Sequence, residues 1–251
     1  MSRAVRRAML LAAGAGTRLR PLTNSRPKPM LDVGGRPLIE HTVRQLVACG
    51  VTEMVMNLHH CPDAVRLHFG DGTRFGVRLS YSYEPTLRGT AGSLVPVMEH
   101  FRGEPFFVIY GDNLTTCDFR KLSETHAQSK AAATIALFWK EDVTPHSAVE
   151  LQPDNRITCF VEKPKAEEAP SHYISAGMNI LEPTVLDVIP IDRPSDFGFD
   201  IFPAMLARGM PIQGYPMSPE EWLWWIDTPE HYARVAALWK TGVPDAPYRP
   251  L

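Results

Sequence analysis

Four cationic side chains lie on one loop near the start of the chain, within the stretch MLLAAGAGTRLRPLTNSRPKPML at residues 9–31. These cations are Arg18, Arg20, Arg26 and Lys28. Gly14 and Gly16 come just before them and directly after an apolar run. Glycines let the backbone approach a ligand closely, and backbone N–H groups together with cations bind phosphate. The pattern therefore predicts a phosphate-binding loop at the end of a buried strand.

The number of cations indicates how much phosphate the loop binds. A dinucleotide pyrophosphate carries about two negative charges, whereas a nucleoside triphosphate carries about four. Arg18, Arg20 and Lys28 match the larger charge. The third glycine of a dinucleotide fingerprint is absent, because Leu19 takes its place, and no Gly-Lys-Ser/Thr of a Walker loop follows. We therefore expect a nucleoside triphosphate as substrate, with a dinucleotide-dependent dehydrogenase as a distant alternative.

The elements that must position this loop are predicted from hydrophobic periodicity. Short apolar runs alternate with helix-period segments, which is typical of an α/β domain with a mostly parallel sheet. The predicted strands are 8–13, 53–58, 77–84, 105–112, 133–139, 147–151, 156–164 and 173–181. The predicted helices are 37–50, 62–70, 90–101 and 119–130, short ones near Thr184 and Phe199, and a last one at 229–240. The result is a Rossmann-like, three-layer α/β fold with a mixed, mostly parallel central sheet and a lobed second half.

Composition narrows the class of protein. The formal charge of the 251 residues is −2 without long runs of one sign, which argues against a nucleic-acid or membrane-surface partner. Apolar stretches fall short of the roughly 20 residues that a membrane span needs. The four cysteines form no Cys-x-x-Cys pair, so we expect reduced thiols and a cytoplasmic location.

The motif LAAGAGTRLRPLT, followed by RPKPML and GRPLIEH, resembles the signature of the sugar-nucleotidyltransferases, or NDP-sugar pyrophosphorylases. Further matches follow in family order: GTAGSL at 89–94, YGDN at 110–113, VEKP at 161–164, SAGMNI at 175–180 and WWIDTPEHY at 224–232. The resemblance covers about residues 8–240. It implies an enzyme that joins a nucleoside monophosphate to a sugar 1-phosphate, uses magnesium and releases pyrophosphate. It also implies one domain at 1–241, with a nucleotide-binding half at about 8–115, a sugar-binding half at about 116–241 and a Pro-rich tail at 242–251.

The resemblance also assigns roles to individual residues. In the predicted catalytic set, Arg18 faces the departing pyrophosphate, Lys28 the reacting phosphates and Lys163 the phosphate of the sugar. The predicted nucleotide-binding residues are Ala12, Ala13, Gly14, Gly16, Thr17, Gly89, Thr90 and Asp112. The predicted sugar-binding residues are Asn113, Glu162, Lys163, Gly177 and Asn179.

Two carboxylates are the predicted ligands of Mg²⁺. Asp112 follows an apolar strand, at the carboxyl end where open α/β sheets bind ligands. For the second ligand the chain departs from the commonest family form, Asp-x-Gly-Thr-Pro, because it has Trp225 where that form has Asp, and Asp227 lies two residues later. Either Asp227 is the ligand or Trp225 has replaced it. We favour Asp227, because a hard cation needs oxygen ligands and a tryptophan offers none.

The resemblance leaves the exact substrates open. GTAGSL is more similar to the guanylyltransferase form than to the GLAQA of thymidylyl enzymes, which favours GTP with a mannose- or heptose-type sugar 1-phosphate. An enzyme that uses dTTP, CTP or UTP with glucose 1-phosphate or a cyclitol phosphate is the alternative. An alternative of another class is a non-catalytic, nucleotide-sugar-binding regulatory protein. The hexapeptide repeat by which relatives form trimers does not follow the main domain, and a homodimer is one candidate assembly.

Three local expectations concern side-chain direction and burial. Glu162 and Lys163 are neighbours, so on a regular strand they point to opposite faces. The aromatic cluster before the last helix is expected to be mostly core: Trp222, Trp224 and Trp225. Three consecutive residues at a strand end cannot easily converge on one ion, so no metal site is expected at His59, His60 and Cys61.

Overall fold

The computed structural model describes residues 5–240, and strands and helices alternate along that part of the chain. The strands are β1 (Arg7–Leu11), β2 (Glu53–Leu58), β3 (Arg78–Tyr83), β4 (Phe106–Tyr110), β5 (Asn113–Thr115), β6 (Ala133–Trp139), β7 (Ser147–Leu151), β8 (Ile157–Glu162), β9 (Tyr173–Leu181), β10 (Ile212–Pro216) and β11 (Leu223–Trp225). The α-helices are α1 (Leu38–Ala48), α2 (Pro62–Phe69), α3 (Gly89–Gly92), α4 (Phe119–Ser129), α5 (Phe202–Ala207) and α6 (Pro229–Lys240).

One large sheet runs through both parts of the chain in the order β10-β6-β9-β4-β1-β2-β3. β1 pairs in parallel with β2 and β4, β2 with β3, and β10 with β6. β9 is antiparallel to both β4 and β6, so the other six strands of this path share one direction. β7 and β8 extend the sheet beside β9. The predicted mixed, mostly parallel sheet is confirmed.

Two hydrophobic cores cover the two faces of the sheet, which gives the three predicted layers. Ala8 and Leu10 face a core that contains apolar residues of α1, α2 and α4. Met9, between them, faces a second core that contains apolar residues of α5 and of two 3₁₀ segments, Val95–Phe101 and Pro183–Val188. This alternation follows from the two-residue period of a strand. Strands such as β4 are apolar along their whole length because both faces are buried.

The strand register places four chain segments level at one edge of the sheet. Leu11, the last residue of β1, is opposite Asn57 of β2 and Tyr110 at the end of β4. Leu58, at the end of β2, is opposite Tyr83 at the end of β3. The loops that follow these strands therefore begin side by side, as expected for a ligand-binding edge of an open α/β sheet.

The prediction of one continuous α-helix at 90–101 is wrong. The chain forms only the four-residue α3 and then a 3₁₀ segment at Val95–Phe101. Pro96 lacks the N–H that would donate to the carbonyl of Gly92, so an α-helix cannot continue through this point. The helix near Thr184 is likewise a 3₁₀ segment, Pro183–Val188, and the one near Phe199 is a π-helical turn, Phe197–Ile201, that leads into α5.

Sequence periodicity missed β5, β10 and β11, which are short and lie beside prolines or polar turns. β5 and β11 form a separate two-stranded antiparallel sheet. This small sheet brings the segment before α6 next to the end of β4. Trp222 and Trp224 are buried there, so the core interpretation is confirmed for both, whereas Trp225 is only half-buried.

The predicted Pro-rich tail at 242–251 lies outside the described residues. Within residues 5–240, the helices are all too short or too polar to cross a lipid bilayer.

Candidate active site

The cationic loop folds back on itself between β1 and α1. Gly16 has a φ of 59°, and a Cβ there would lie 3.0 Å from Cβ of Lys28. The Thr23 hydroxyl donates a hydrogen bond of 2.8 Å to the carbonyl of Gly16, which closes the loop. Gly16 therefore allows the turn and lets the segments at 14–16 and 23–28 approach each other closely. This approach places Lys28 beside the glycine-rich turn.

Lys28 is the central charge of the site. Its side chain is 8% exposed, and its Nζ donates to Asp112 Oδ2 at 2.8 Å and to Asp227 Oδ1 at 2.9 Å. Arg18 is exposed and donates to the same Asp227 oxygen at 3.2 Å. Residues from three distant parts of the chain thus meet at the ammonium of Lys28.

Each charge in this cluster stabilises the ionised form of its neighbours. Burial opposes the charged form of Lys28, but the carboxylates of Asp112 and Asp227 outweigh it and raise the lysine pKa above its ordinary value. Burial likewise disfavours the Asp227 carboxylate, yet Lys28 and Arg18 lower its pKa below the usual range. At neutral pH both groups are therefore charged.

The carboxylates of Asp112 and Asp227 fit a divalent cation. They approach one nitrogen, within 2.8 and 2.9 Å, so both can face a single positive ion. Among residues 5–240, no group of three or more His, Cys, Asp and Glu side chains is placed to hold a metal. Mg²⁺ typically takes one or two carboxylates and completes its shell with phosphate oxygens and waters.

Trp225, the alternative to Asp227, points elsewhere. Its ring packs against His146 at a centroid distance of 4.8 Å and beneath the Lys140 ammonium at 4.9 Å. Asp227, and not position 225, therefore joins Asp112 at the cluster. The His59 and His60 rings are each engaged with a backbone carbonyl, of Glu84 and Thr23 respectively.

Two cavities meet at this cluster. The loop cavity, of about 360 Å³, lies between the cationic loop and the ends of β2, β3 and β4. The outer cavity, of about 760 Å³, lies among the ends of β6, β8, β9 and β11. Their shared lining residues are Arg18, Tyr110, Asp112 and Asp227. Both volumes suit small-molecule ligands, and two ligands could react where the cavities join.

Most of the predicted site residues line one of these cavities. Those in the loop cavity are Ala13, Gly14, Gly16, Thr17, Arg18, Lys28, Gly89, Thr90, Asp112 and Asp227. Those in the outer cavity are Asn113, Glu162, Lys163 and Gly177, together with Arg18, Asp112 and Asp227. The structure thus gathers into one site residues that the sequence places up to about 200 positions apart.

Two predicted site residues lie outside both cavities. Ala12 is buried, and its N–H donates to Asn57 Oδ1 at 2.7 Å, so its backbone is already engaged. Asn179 is 1% exposed and pairs in the sheet with Val108, two residues before β4 ends. It therefore lies below the ligand-binding edge in this structure, and a contact with the sugar stays a prediction.

The expectation that Glu162 and Lys163 point to opposite faces is also wrong. β8 ends at Glu162, and Lys163 has a φ of 49°, so the strand alternation does not reach it. Both side chains line the outer cavity. The carboxylate of Glu162 accepts a hydrogen bond from the Ser147 hydroxyl, and the Lys163 ammonium lies 5.7 Å from the centroid of the Phe199 ring.

Sequence reasoning missed a buried polar chain in the loop cavity. Asn57 donates to Glu84 Oε1 at 2.8 Å, and the backbone N–H of Arg88 donates to Glu84 Oε2 at 2.9 Å. Glu84 is only 2% exposed but lines the cavity. Polar residues at the ends of otherwise apolar strands were the available signal, because a buried polar group needs a reason to be there.

A segment from the second half of the chain clamps α3. The carbonyl of Ser195 accepts from the N–H groups of Ala91 and Gly92, each at 3.0 Å. Asp196 Oδ1 accepts from the backbone N–H and the hydroxyl of Thr90, each at 2.9 Å. The wall of the loop cavity at Thr90 is therefore fixed by residues more than 100 positions away.

Gly89→Ala is expected to destabilise this clamp. Gly89 has a φ of 79°, and a Cβ there would lie 2.4 Å from the carbonyl oxygen of Ser195. The strained backbone and the clash should together lower the free energy of unfolding by at least about 2 kcal/mol, measured by urea denaturation. Gly14→Ala is the matched control, since a Cβ at Gly14 meets no atom within 4 Å. Equal stability of the two variants would contradict the clamp.

Comparisons with known proteins show the family of the chain. A model of the family described as Nucleotidyl transferase matches residues 7–238. UTP–glucose-1-phosphate uridylyltransferase of Synechocystis sp. is 35% identical over 234 residues, 88% of this chain and 59% of that protein. Mannose-1-phosphate guanylyltransferase of Mycobacterium tuberculosis is 33% identical over 243 residues, 96% of this chain and 66% of that protein. The chain thus spans 59% and 66% of the lengths of these two relatives.

Solved structures share the fold. A putative glucose-1-phosphate thymidylyltransferase from Bacillus anthracis, in complex with a sucrose, superposes with a TM-score of 0.84 at 26% identity, covering 98% of both chains. HddC from Yersinia pseudotuberculosis, complexed with GMP-PN, superposes with a TM-score of 0.76 at 22% identity, covering 93% of this chain and 99% of that one. Since the family model matches nearly the whole chain and a relative above 30% identity covers most of it, the chain belongs to the nucleotidyl transferase family.

Proposed function

We propose that the protein is a sugar-1-phosphate nucleotidyltransferase, which joins a nucleoside triphosphate and a sugar 1-phosphate to an NDP-sugar and releases pyrophosphate. The observation that carries this proposal is the cluster of Lys28, Asp112 and Asp227 at the junction of the two cavities. A triphosphate in the loop cavity and a sugar phosphate in the outer cavity would meet there. An oxygen of the sugar phosphate can then attack the α-phosphorus in line with the departing pyrophosphate.

The protein contributes alignment and charge neutralisation. The two substrates together bring about six negative charges, which repel each other unless cations lie between them. Lys28 lies at the junction, and the exposed Arg18 can reach the departing pyrophosphate. Lys163 in the outer cavity would contact the sugar phosphate.

A divalent metal ion is general in this family. We assign Mg²⁺ to the carboxylates of Asp112 and Asp227, whose oxygens converge on one point. When bound, Mg²⁺ would neutralise phosphate charge and orient the phosphates. Lys28 would then keep a charge beside the same phosphates after releasing one or both of its carboxylate partners.

The carboxylate of Glu84 favours guanine as the base. Ionised carboxylates only accept hydrogen bonds. Guanine presents two adjacent donors, N1–H and the 2-amino group, whereas uracil and thymine place a single N–H between two carbonyl oxygens. Asn57 and the N–H of Arg88 hold Glu84 at the cavity wall, and each of its oxygens has a second lone pair for a base. GTP is therefore the nucleotide we propose.

Glu84→Gln is expected to relax the preference for GTP. The amide that replaces the carboxylate presents a donor to the base, so one guanine contact is lost and a carbonyl of uracil or thymine gains one. We expect the ratio of kcat/KM for GTP over UTP to fall by about 10- to 100-fold. Glu104→Gln is the control, because Glu104 is half-buried like many site residues but pairs with Arg7 and lines neither cavity. An unchanged ratio would show that Glu84 does not read the base.

The sugar is proposed from the relatives. Mannose-1-phosphate guanylyltransferases recur among them, which favours mannose 1-phosphate or a heptose analogue. Glu162 and Gly177 line the outer cavity where the sugar would lie. The four cysteines are free thiols, which supports the proposed location in a reducing cytoplasm. Both proposed substrates are small molecules. A homodimer stays a prediction for sedimentation to test.

Initial rates of pyrophosphate release test the proposal. The purified protein with Mg²⁺ is given each of ATP, CTP, GTP, UTP and dTTP against a panel of sugar 1-phosphates. We expect turnover with GTP and a mannose- or heptose-type sugar phosphate. Turnover only with UTP or dTTP and glucose 1-phosphate would move the protein to the other branch of the family. Nucleotide-sugar binding without pyrophosphate release from any pair would instead indicate a regulatory binding protein.

A further inference from the structure

Lys140 lines the outer cavity, and its ammonium forms no ion pair with a carboxylate of residues 5–240. It follows β6, and its ammonium lies 2.7 Å from His146 Nε2 and 4.9 Å from the centroid of the Trp225 ring. Lys140 is half-buried, and burial lowers its pKa more than the nearby charges of Asp142 and Asp227 raise it. A half-buried, unpaired charge costs free energy that a bound anion can recover.

The partner of Lys140 is a neutral ring. Burial and the nearby Lys140 charge lower the pKa of His146 to about 4, so at neutral pH its Nε2 accepts from the ammonium and its Nδ1 carries the proton. Lys28 differs in this respect, because two carboxylates compensate its charge. His146 therefore holds the Lys140 ammonium in place and leaves its positive charge available.

The position of this lysine points to the phosphate of the acceptor. The backbone N–H of Lys163 donates to the carbonyl of His146 at 2.9 Å, so one residue links the two lysines. Trp225, beneath the Lys140 ammonium, lies two residues before Asp227. Lys140 lines the same outer cavity as Asp112 and Asp227 of the cluster. The acceptor phosphate must lie near that cluster for transfer.

We propose that Lys140 is a second ammonium contact of the acceptor phosphate, beside Lys163, and that His146 is the positioning residue that holds it without neutralising it. This inference rests on the proposed function, because it assigns the outer cavity to a phosphorylated acceptor. It adds a determinant of acceptor binding that lies outside all of the sequence motifs identified above.

Steady-state kinetics of Lys140→Met test the contact. With GTP saturating, KM for mannose 1-phosphate or glucose 1-phosphate, whichever the wild type uses, should rise at least about tenfold, since a charge-assisted hydrogen bond is lost. KM for the nucleotide should stay within about twofold, because Lys140 does not line the loop cavity. Lys140→Arg should restore most of the affinity. Lys121→Met, on the exposed face of α4, is the matched control.

Two variants at His146 separate positioning from a direct structural role. His146→Gln keeps a neutral acceptor for the ammonium and should change the acceptor KM by less than about threefold. His146→Glu places a carboxylate beside the ammonium and should raise the acceptor KM nearly as much as Lys140→Met. Equal effects of the two variants would overturn the positioning role.

Calorimetric titration with mannose 1-phosphate and glucose 1-phosphate keeps this inference separate from the proposed function. If the wild type turns over and Lys140→Met leaves the acceptor KM within twofold, the contact is refuted while the function stands. If the wild type releases no pyrophosphate, the function fails, and a tenfold weaker Kd in folded Lys140→Met still supports the contact. An unchanged Kd, or a wild type that binds neither sugar phosphate, overturns it.

Discussion

Lys28→Met is expected to lower kcat for pyrophosphate release by about 100- to 1000-fold. The Lys28 ammonium is nearly buried and lies between two carboxylates at the junction of the cavities. It is the positive charge of the chain that is best placed to stabilise phosphate charge as it develops. A preorganised charge in a site with little water stabilises a transition state far more than an exposed one does. Single-turnover kinetics with bound GTP would separate this loss of rate from weaker binding.

Two further variants make the Lys28 prediction specific. Lys28→Arg keeps the charge but not the compact shape, so we expect partial activity, between the wild type and Lys28→Met. Lys165→Met removes a lysine that is paired with Glu168 on the surface and should leave kcat unchanged. If Lys28→Met retains more than a third of the wild-type kcat, the proposed role of the cluster is wrong.

Asp112→Asn and Asp227→Asn are each expected to reduce kcat by about 100- to 1000-fold and to raise the Mg²⁺ concentration needed for half-maximal rate. Both carboxylates face the Lys28 ammonium, so in the proposed cation site each would supply half of the protein's ligands. Because the two act as a unit, the double variant should be little worse than either single variant. Rates measured across a Mg²⁺ titration check all three proteins.

Variants at positions 225 and 227 test which of the two residues supports Mg²⁺ binding. Trp225→Phe should keep the Mg²⁺ dependence of the wild type, because the indole packs against His146 and not against Asp112. Asp63→Asn, an exposed position on α2, serves as the control for charge alone. Normal Mg²⁺ dependence in Asp227→Asn would contradict the assignment.

The same cluster predicts that the free energy of unfolding decreases at acid pH. The pKa of Asp227 is lowered in the folded protein, so the unfolded chain binds a proton there at a higher pH than the folded one. The stabilisation by this carboxylate is therefore present at neutral pH and is lost as the pH falls through the lowered folded pKa.

Local patterns in the sequence were enough for the elements with strong periodicity. β1, β2, β4 and β6 were predicted because runs such as FFVIY are apolar on both faces. The helix at 90–101 failed at a specific point, since Pro96 interrupts an otherwise apolar, helix-period segment. β5 and β11 have three residues each and depend on pairing across more than 100 positions, which no local window contains.

Some residues of the candidate site could be predicted from the sequence, and others could not. Residues on the loop and at strand ends could be predicted, because glycines, cations and acids in those places have few structural reasons to occur. The burial of Asn179 could not be predicted, because the sequence does not tell how far along β9 the edge of the sheet lies. Asp196 and the pair of Lys140 and His146 were missed because tertiary contacts, which no motif records, bring them to the cavities.

The destination of the α-phosphate tests the central claim most directly. GTP labelled at the α-phosphorus is incubated with the protein, Mg²⁺ and mannose 1-phosphate, with the other sugar 1-phosphates in parallel, and the products are separated. The proposed transfer requires the label in a nucleoside diphosphate sugar and an equal amount of unlabelled pyrophosphate. Label that stays in GTP with every acceptor, or appears as GDP with free phosphate, would contradict it.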